Sequence, residues 1–298
     1  MSQRTDVSHA SRGRLARAVA PDSVGKWQLL QLIGQGEWTH VYRSHPQQGG
    51  PDAANYAVKI LKPQFQNDSL AISLLRREAL VASQVRHVHL TSVLSHHTHS
   101  PPYFLVSPYL AGVSLRAALR VAQQLTIPQA LWIARQAAEA LEALHRRGWR
   151  HADVKPENIL IGPNGHATLL DLGFAESIRD AVRGDVIKGS PAYWSPESCC
   201  DELPCGTASD IYSLGVTLYE SLTGQCPFVE ASAFAMATAH VDAKLPDPRG
   251  LVPQMGPRVA RLLRAMLAKS AIDRPTSKQL IDRLVDLEID TLPERIPA

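Results

Sequence analysis

The strongest constraint in this sequence is a change of period near Gly112. Upstream, short apolar and β-branched runs are separated by Gly, Pro and polar clusters, the pattern of strands. Downstream, apolar residues recur at helical spacing over long stretches. Residues 27–33 and 39–44 read as two strands around a glycine-containing turn, residues 45–55 as a loop, and Tyr56–Leu61 as a third strand. Ser69–Gln84 is the helix of this half, and two short apolar runs follow, around Val93 and over residues 103–106. In the second half, Pro128 is placed as the first residue of a helix that runs to His145. Residues 209–222, 231–241, 258–267 and 277–287 are further helices. The predicted fold is α+β, with a small β-rich N-terminal lobe, a larger helical C-terminal lobe and a cleft between them.

At 298 residues, 45% hydrophobic and 20% charged, the chain can bury a sizeable core in one domain of two lobes. A formal charge of +3 gives no case for nucleic acid or a membrane surface as the main partner. No apolar run approaches the roughly 20 residues of a membrane helix. The N-terminus lacks the apolar core of a secretory signal, so a cytoplasmic protein is expected. Cys199, Cys200 and Cys205 crowd together without a CxxC pair, which favours reduced thiols over a zinc site. Residues 1–24, dotted with Arg4, Arg12, Arg14 and Arg17, read as a flexible tail, either solvated or a basic docking arm. His87, His89, His96, His97 and His99 are close in sequence. Because the last three precede Ser100-Pro101-Pro102, they read as a solvated hairpin turn rather than a metal site.

The chemistry-bearing residues fall on the edges of the cleft. Ile33-Gly34-Gln35-Gly36-Glu37-Trp38-Thr39-His40-Val41 lies between the first two strands, where glycines let backbone N–H groups approach a polyphosphate. By itself such a pair of glycines marks no more than a hairpin turn. Tyr56-Ala57-Val58-Lys59 puts a lysine inside an apolar strand. A lysine needed in a cleft requires a carboxylate partner, and Glu78 in the following helix is the candidate. His151-Ala152-Asp153-Val154-Lys155-Pro156-Glu157-Asn158 follows the long helix and precedes a strand at Ile159–Ile161. There Asp153 can accept a hydroxyl proton and Asn158 can offer an amide oxygen to Mg²⁺. Asp171-Leu172-Gly173 follows the apolar run 167–170 and suits a second metal contact, because Mg²⁺ prefers few protein oxygens plus phosphates.

In this order the motifs resemble the signature set of protein kinases: glycine-rich loop, strand lysine, helix glutamate, H-x-D-x-x-x-x-N, D-x-G and P-E. Gly189-Ser190-Pro191-Ala192-Tyr193-Trp194-Ser195-Pro196-Glu197 resembles the end of a kinase activation segment. Asp210 resembles the family's buried helix aspartate, and Arg274 the arginine that pairs with the P-E glutamate, here Glu197. The resemblance covers residues 27–288. Lys155-Pro156-Glu157-Asn158 and Ser190 resemble the serine/threonine branch, and the compact domain is similar to the eukaryote-like kinases of bacteria.

This resemblance implies a bilobal kinase domain over residues 25–290, with an N-lobe over about 25–107, a hinge at 108–111, a C-lobe over 112–290 and a C-terminal tail at 291–298. It implies ATP and Mg²⁺ as cofactors and proteins bearing Ser or Thr as substrates. Gly34 and Gly36 would cover the phosphates, with Ile33, Val41, Ala57, Ser107 and Leu110 around the nucleotide. Lys59 and Glu78 would position the α- and β-phosphates, Asp153 would orient and deprotonate the hydroxyl, and Lys155 would balance charge on the moving phosphoryl group. Asn158 and Asp171 would bind Mg²⁺. Ser107 falls at the gatekeeper position, with Pro108 and Leu110 in the hinge; a register shifted by one residue would put Val106 there.

Three positions depart from the family pattern. Thr39 replaces the third loop glycine, Leu172 the phenylalanine of D-F-G, and Ala152 the arginine before the catalytic aspartate. The last bears on regulation, since that arginine pairs with a phosphate on the activation loop. In residues 174–188 the hydroxyl is that of Ser177, and Glu176, Asp180 and Asp185 beside Arg179 and Arg183 are expected to order the segment through internal ion pairs. A pseudokinase scaffold is the alternative reading, but Lys59, Asp153 and Asp171 are all present. A small-molecule phosphotransferase fits less well, because the P-E and Arg274 elements resemble those that frame a peptide-binding surface.

Overall fold

The computed structural model describes residues 22–179, 190–200 and 205–291. The two predicted tails lie almost wholly outside the described residues. Six strands form one antiparallel sheet in the order β1-β2-β3-β4-β6-β5. They are β1 Ser23–Val24, β2 Trp27–Gln35, β3 Thr39–Pro46, β4 Tyr56–Leu61, β5 Ser95–His97 and β6 Phe104–Pro108. Helix α1, Ser69–Gln84, starts where the Asp68 carboxylate accepts the Ala71 N–H at 2.8 Å and so satisfies a donor the helix itself leaves open.

Strand alternation decides what reaches the cleft. Val58 and Ile60 of β4 and Phe104 and Val106 of β6 join Trp27, Leu29 and Tyr42 in a core on one face of the sheet. Leu61 and Leu105 point to the opposite face and pack on Leu75 and Ala79 of α1. Ala57, Lys59 and Ser107 therefore share the face turned toward α1, with Ala57 directly opposite Ser107 and Lys59 opposite Val41 and Leu105.

The second lobe contains β7 Val113–Ser114, α2 Leu115–Ala122, α3 Ile127–His145, β8 Trp149–Arg150, β9 Ile159–Ile161, β10 Ala167–Leu169 and β11 Glu176–Ser177. It continues with α4 Thr207–Thr223, α5 Ala233–Asp242, α6 Pro257–Met266 and α7 Ser277–Asp290. One core joins Leu131, Leu141 and Leu144 of α3, Tyr212 and Tyr219 of α4, Leu263 of α6 and Leu284 of α7. Thr126 caps α3 in a box with Gln129, so Ile127 opens the helix and Pro128 takes its second position. No helix among the described residues is long and apolar enough to cross a membrane.

The expected run around Val93 is not a strand. Leu94 donates one bond to Val106 O at 2.8 Å, and the strand itself is Ser95–His97 at the sheet edge. His96 and His97 thus sit on an edge strand and not in the turn, which residues 98–102 make. An edge strand has one side open to water, so its polar residues hide it from apolar patterning.

The segment that ends at Glu197 is locked to the helical core by one buried ion pair. Arg274 donates to Glu197 Oε1 at 2.6 Å and Oε2 at 2.8 Å, and its other N–H groups reach the carbonyls of Ala268, Ala208 and Lys269. Ser209 Oγ donates to the same Glu197 oxygen at 2.6 Å. Burial alone would raise the Glu197 pKa, but Arg274 and Ser209 hold it below the usual range. Removing the cation alone strands a carboxylate, so Arg274→Met is expected to cost about 3–5 kcal/mol in urea unfolding. Arg274→Met with Glu197→Leu is expected to cost markedly less, and an equal loss in both would refute the ion-pair account. Because the folded pKa of Glu197 is depressed, its contribution is complete above the unfolded value of about 4.3 and fades as pH falls below it.

Candidate active site

The β2–β3 hairpin forms the roof of the cleft. Gly36 N–H donates to Thr39 O at 2.9 Å, and a Cβ on Gly36 would meet Thr39 Oγ1 at 3.1 Å. A larger residue there would have to push the Thr39 side chain aside by a few tenths of an ångström. At the tip, the Trp38 ring lies 5.9 Å from that of Phe174, so the roof touches the chain just past Asp171-Leu172-Gly173. Leu172 is fully buried in the main core, which is how leucine fills the slot expected for phenylalanine.

Beneath the roof, Lys59 Nζ donates to Glu78 Oε2 at 2.7 Å and to Asp171 Oδ1 at 2.9 Å. One ammonium from β4 thereby ties α1 to the segment after β10. Burial opposes a charged lysine, yet the two carboxylates raise its pKa, so it stays protonated. The Lys59 charge likewise overrides burial at Asp171 and holds that carboxyl below the aspartate range. Arg77, the neighbour of Glu78, donates to Ala175 O at 3.1 Å and fixes the same junction from the other side. Asp171 adopts a φ of 63°, a left-handed conformation that aspartate tolerates better than most residues.

The floor is the loop 151–158. Lys155 Nζ lies 2.8 Å from Asp153 Oδ2 and donates to Ser190 Oγ at 3.2 Å. Asn158 Nδ2 donates to the Asp153 carbonyl and carboxylate, each at 2.8 Å, which leaves its amide oxygen for another partner. His151 Nε2 lies 2.9 Å from Leu170 O, and its Nδ1 accepts the Asp153 N–H at 3.3 Å; these partners assign the ring proton to Nε2. Burial, the largest influence, raises the Asp153 pKa; Lys155 and His151 pull it down, and Asp171 adds to the rise. Asp210 accepts N–H bonds from His151 at 2.7 Å and Ala152 at 2.9 Å, and the loop hangs from it.

The arginine missing at Ala152 has a counterpart earlier in the chain. Arg150 on β8 stands directly opposite Glu176 on β11, and its guanidinium bonds that carboxylate. Glu176 is thus paired with Arg150, a partner the sequence reading did not name. Asp180, Arg183 and Asp185 lie outside the described residues. Arg150 was not legible as a partner because the two residues are 26 positions apart.

Val106 and Ser107 face opposite sides of the sheet. Val106 is fully buried in the core of the opposite sheet face, while Ser107 faces the cleft opposite Ala57. Tyr109 N–H donates to Asn55 O at 2.8 Å, and Arg43 stacks on the Tyr109 ring at 4.6 Å, which steadies the strap ahead of Leu110. Ile33 and Leu110 remain partly exposed at the mouth of the cleft. Among the suggested histidines, His89 is buried, with Nδ1 2.8 Å from Ala167 O and Nε2 3.3 Å from Glu139. His96, His97 and His99 are on or beyond β5 and do not join it.

The model of the protein kinase domain family matches residues 27–284. A probable serine/threonine-protein kinase of Clostridium perfringens, CPE1738, is 29% identical over 268 residues, 89% of this chain and 38% of its own length. The serine/threonine-protein kinase PrkC of Bacillus subtilis is 31% identical over 252 residues, covering 84% of this chain and 38% of its own length. PknA of Mycobacterium tuberculosis is 31% identical over 253 residues, 83% of this chain and 57% of its own length. The chain thus spans between 38% and 57% of these relatives. A match running from the first long strand into the last helix, on a chain that brings lysine, glutamate and paired aspartates together as described, places it plainly: the chain belongs to the protein kinase domain family.

Proposed function

We propose that this chain is a protein serine/threonine kinase that moves the γ-phosphoryl group of ATP to Ser or Thr hydroxyls of proteins. One observation carries the reading: Asp153, held by Lys155 and Asn158, faces the same cleft in which Lys59 is shared by Glu78 and Asp171. The hinge at 108–111 divides the lobes, and adenine would lie against Ala57, Ser107 and the backbone of Leu110. The domain would work in the cytoplasm, where ATP is available.

The substrate hydroxyl donates to Asp153 while its oxygen forms a bond to the γ-phosphorus. The bond from that phosphorus to the β–γ bridging oxygen breaks, and its electron pair leaves with ADP. The proton passes to Asp153 and then to solvent. Burial keeps Asp153 more basic than a free aspartate, which suits it to this task. Lys155 presents its charge to the oxygens of the moving group, and its contact with Ser190 favours Ser/Thr over Tyr. Lys59 would hold the α- and β-phosphates. The donor set fits Mg²⁺: Lys59 and the Gly173 N–H occupy Asp171 Oδ1, leaving Oδ2, and Asn158 has its amide oxygen to offer. Bound there, Mg²⁺ would neutralise phosphate charge. The pseudokinase alternative has no observation in its favour, since each charged group the transfer needs is in place.

Three experiments test this reading. Asp153→Asn is expected to lower turnover by about 10²–10⁴-fold at saturating Mg²⁺-ATP, and Lys59→Met to abolish measurable transfer. The acid limb of the wild-type pH profile should lie above the ordinary aspartate range, because protonation of Asp153 removes the base. Wild-type turnover in Asp153→Asn would remove the assignment.

Serine is small for a back wall, so the wild type should use ATP analogues with a benzyl-sized group on N6. Ser107→Met should raise the ratio of analogue to ATP KM at least about tenfold, roughly 1.4 kcal/mol. An unchanged ratio would close the open-pocket idea.

Glu176 offers Arg150 a built-in carboxylate, so phosphatase treatment and Ser177→Ala should each change kcat less than about threefold. Glu176→Gln should lower it by at least about tenfold, roughly 1.4 kcal/mol. A phosphatase-sensitive enzyme would contradict this account.

A further inference from the structure

The β9–β10 hairpin serves two spaces. Ile159 and Leu169, opposite each other, enter the core of the lobe, while the next pair, Leu160 and Thr168, turns to the other face. That face forms the floor of a pocket of about 520 Å³. One wall of the pocket is the hinge strap from Tyr109 to Ala111, and its exposed rim is the hairpin turn at Pro163 and Asn164. Ile33, Val41, Ala57 and Ser107, set around the nucleotide above, do not line it; of that group Leu110 alone does. The phosphoryl transfer described above uses neither Thr168 nor the turn.

Thr168 is 4% exposed and lines the pocket, and its hydroxyl has no hydrogen-bond partner among the described residues. A hydroxyl withdrawn from water without a partner is costly, and a ligand that bonds it recovers that cost. Among the described residues no Lys, Arg, Asp or Glu lines the pocket, so an ion would shed its water there without a counter-charge. Leu110, Leu160 and Pro163 offer apolar surface instead. A space of this size suits a small molecule. The occupant that fits is uncharged and largely apolar, with a donor beside an acceptor, because one hydroxyl can answer both. The strap lacks support where it meets the pocket. Tyr109 N–H is tied to Asn55 O, and Gly112 lies so close to Ile161 that a Cβ would stand 2.3 Å from its carbonyl oxygen. Between these two points no hydrogen bond among the described residues holds Leu110 or Ala111.

We propose that the pocket behind the hinge is an effector site for an uncharged heteroaromatic molecule with a lactam-like edge, anchored on the Thr168 hydroxyl. Its occupant props Leu110 and Ala111 from the side away from adenine. A strap already ordered by one ligand costs the other less to order, so effector and ATP strengthen each other's binding, and the coupling is reciprocal. The site stands without the kinase reading; its coupling to ATP rests on that reading. The test uses the full chain and 2-quinolone, a flat neutral lactam, with the cleft filled by Mg²⁺ and a saturating non-hydrolysable ATP analogue. Titration followed by ligand NMR is expected to give a Kd of about 1 mM or tighter, within reach of a ligand of that size. N-methyl-2-quinolone, which lacks the donor, and quinoline-2-carboxylate, which carries a charge, should each bind at least about tenfold more weakly. Thr168→Val should weaken 2-quinolone by the same factor while melting no lower than the wild type, because its hydroxyl has no partner to lose. In transfer assays, saturating 2-quinolone should lower the KM for ATP at least about fivefold and leave kcat in place.

Binding that the nucleotide analogue abolishes overturns the proposal, because the probe then belongs to the adenine cleft. So does an absence of binding, equal affinity for the three probes, or unchanged affinity in Thr168→Val. If that variant does not fold, the three probes on the wild type decide alone. With the probe bound, an unaltered or raised KM for ATP overturns the coupling. A chain that neither binds the analogue nor transfers phosphate overturns the kinase reading and the coupling with it, and 2-quinolone titrated onto the bare chain then decides the site by itself.

Discussion

Asp210 stands on α4 with its carboxylate sealed from water, and three N–H groups converge on it: the backbone amides of His151 and Ala152 and the imidazole of His145, 2.9 Å away. Burial works against a charged carboxylate, and these donors overcome it, so Asp210 titrates below the ordinary range. The loop bearing Asp153 is thereby suspended from a helix buried in the core of the lobe, in addition to its own internal contacts. Ala152 holds a φ of 64°, a left-handed conformation that costs an L-residue about 1–2 kcal/mol, because two successive amides must aim at one carboxylate. His151 then passes the constraint forward: its ring is fixed between Leu170 and Asp153, so the loop and the segment after β10 share one frame.

The N-terminal half of the cleft is built on charge where the C-terminal half is built on backbone. Lys59 is the shared cation of two carboxylates from two different elements, so α1 and the segment after β10 cannot separate without leaving a buried charge unpaired. Arg77 adds a hydrogen bond from its guanidinium to a backbone carbonyl at the same junction. Counting Lys59 and Lys155 against Glu78, Asp153 and Asp171, the cleft carries an excess of negative charge before anything binds. That excess draws cations, and a polyphosphate enters well only with its counter-ion.

Much of this was legible in the sequence because the signals were local. α1 appears with the limits expected, since a capping aspartate, a 3.6-residue pattern and a run of Leu and Ala agree. Lys59 of β4 meets Glu78 of α1 and Asp171, and Asn158 bonds Asp153, because strand alternation and a short loop bring these side chains to one cleft. What was missed depended on distance along the chain. Arg116 meets Glu157 and Glu220 across 41 and 104 positions, and nothing in its own short helix announces either partner. α2 itself was not predicted, although Ser114 caps its start. β5 hid in its histidines, and Arg150 in a two-residue strand whose only signal is the strand opposite.

The Arg150–Glu176 pair has a bearing on time. A phosphate on a loop is a record: one event writes it, another erases it, and between them an enzyme carries its past into the present. A carboxylate fixed in the chain records nothing. On the reading proposed above, the rate at any instant reflects the nucleotide and peptide then at hand, and control over such an enzyme has to be exercised through its supply and its surroundings rather than through what was done to it before.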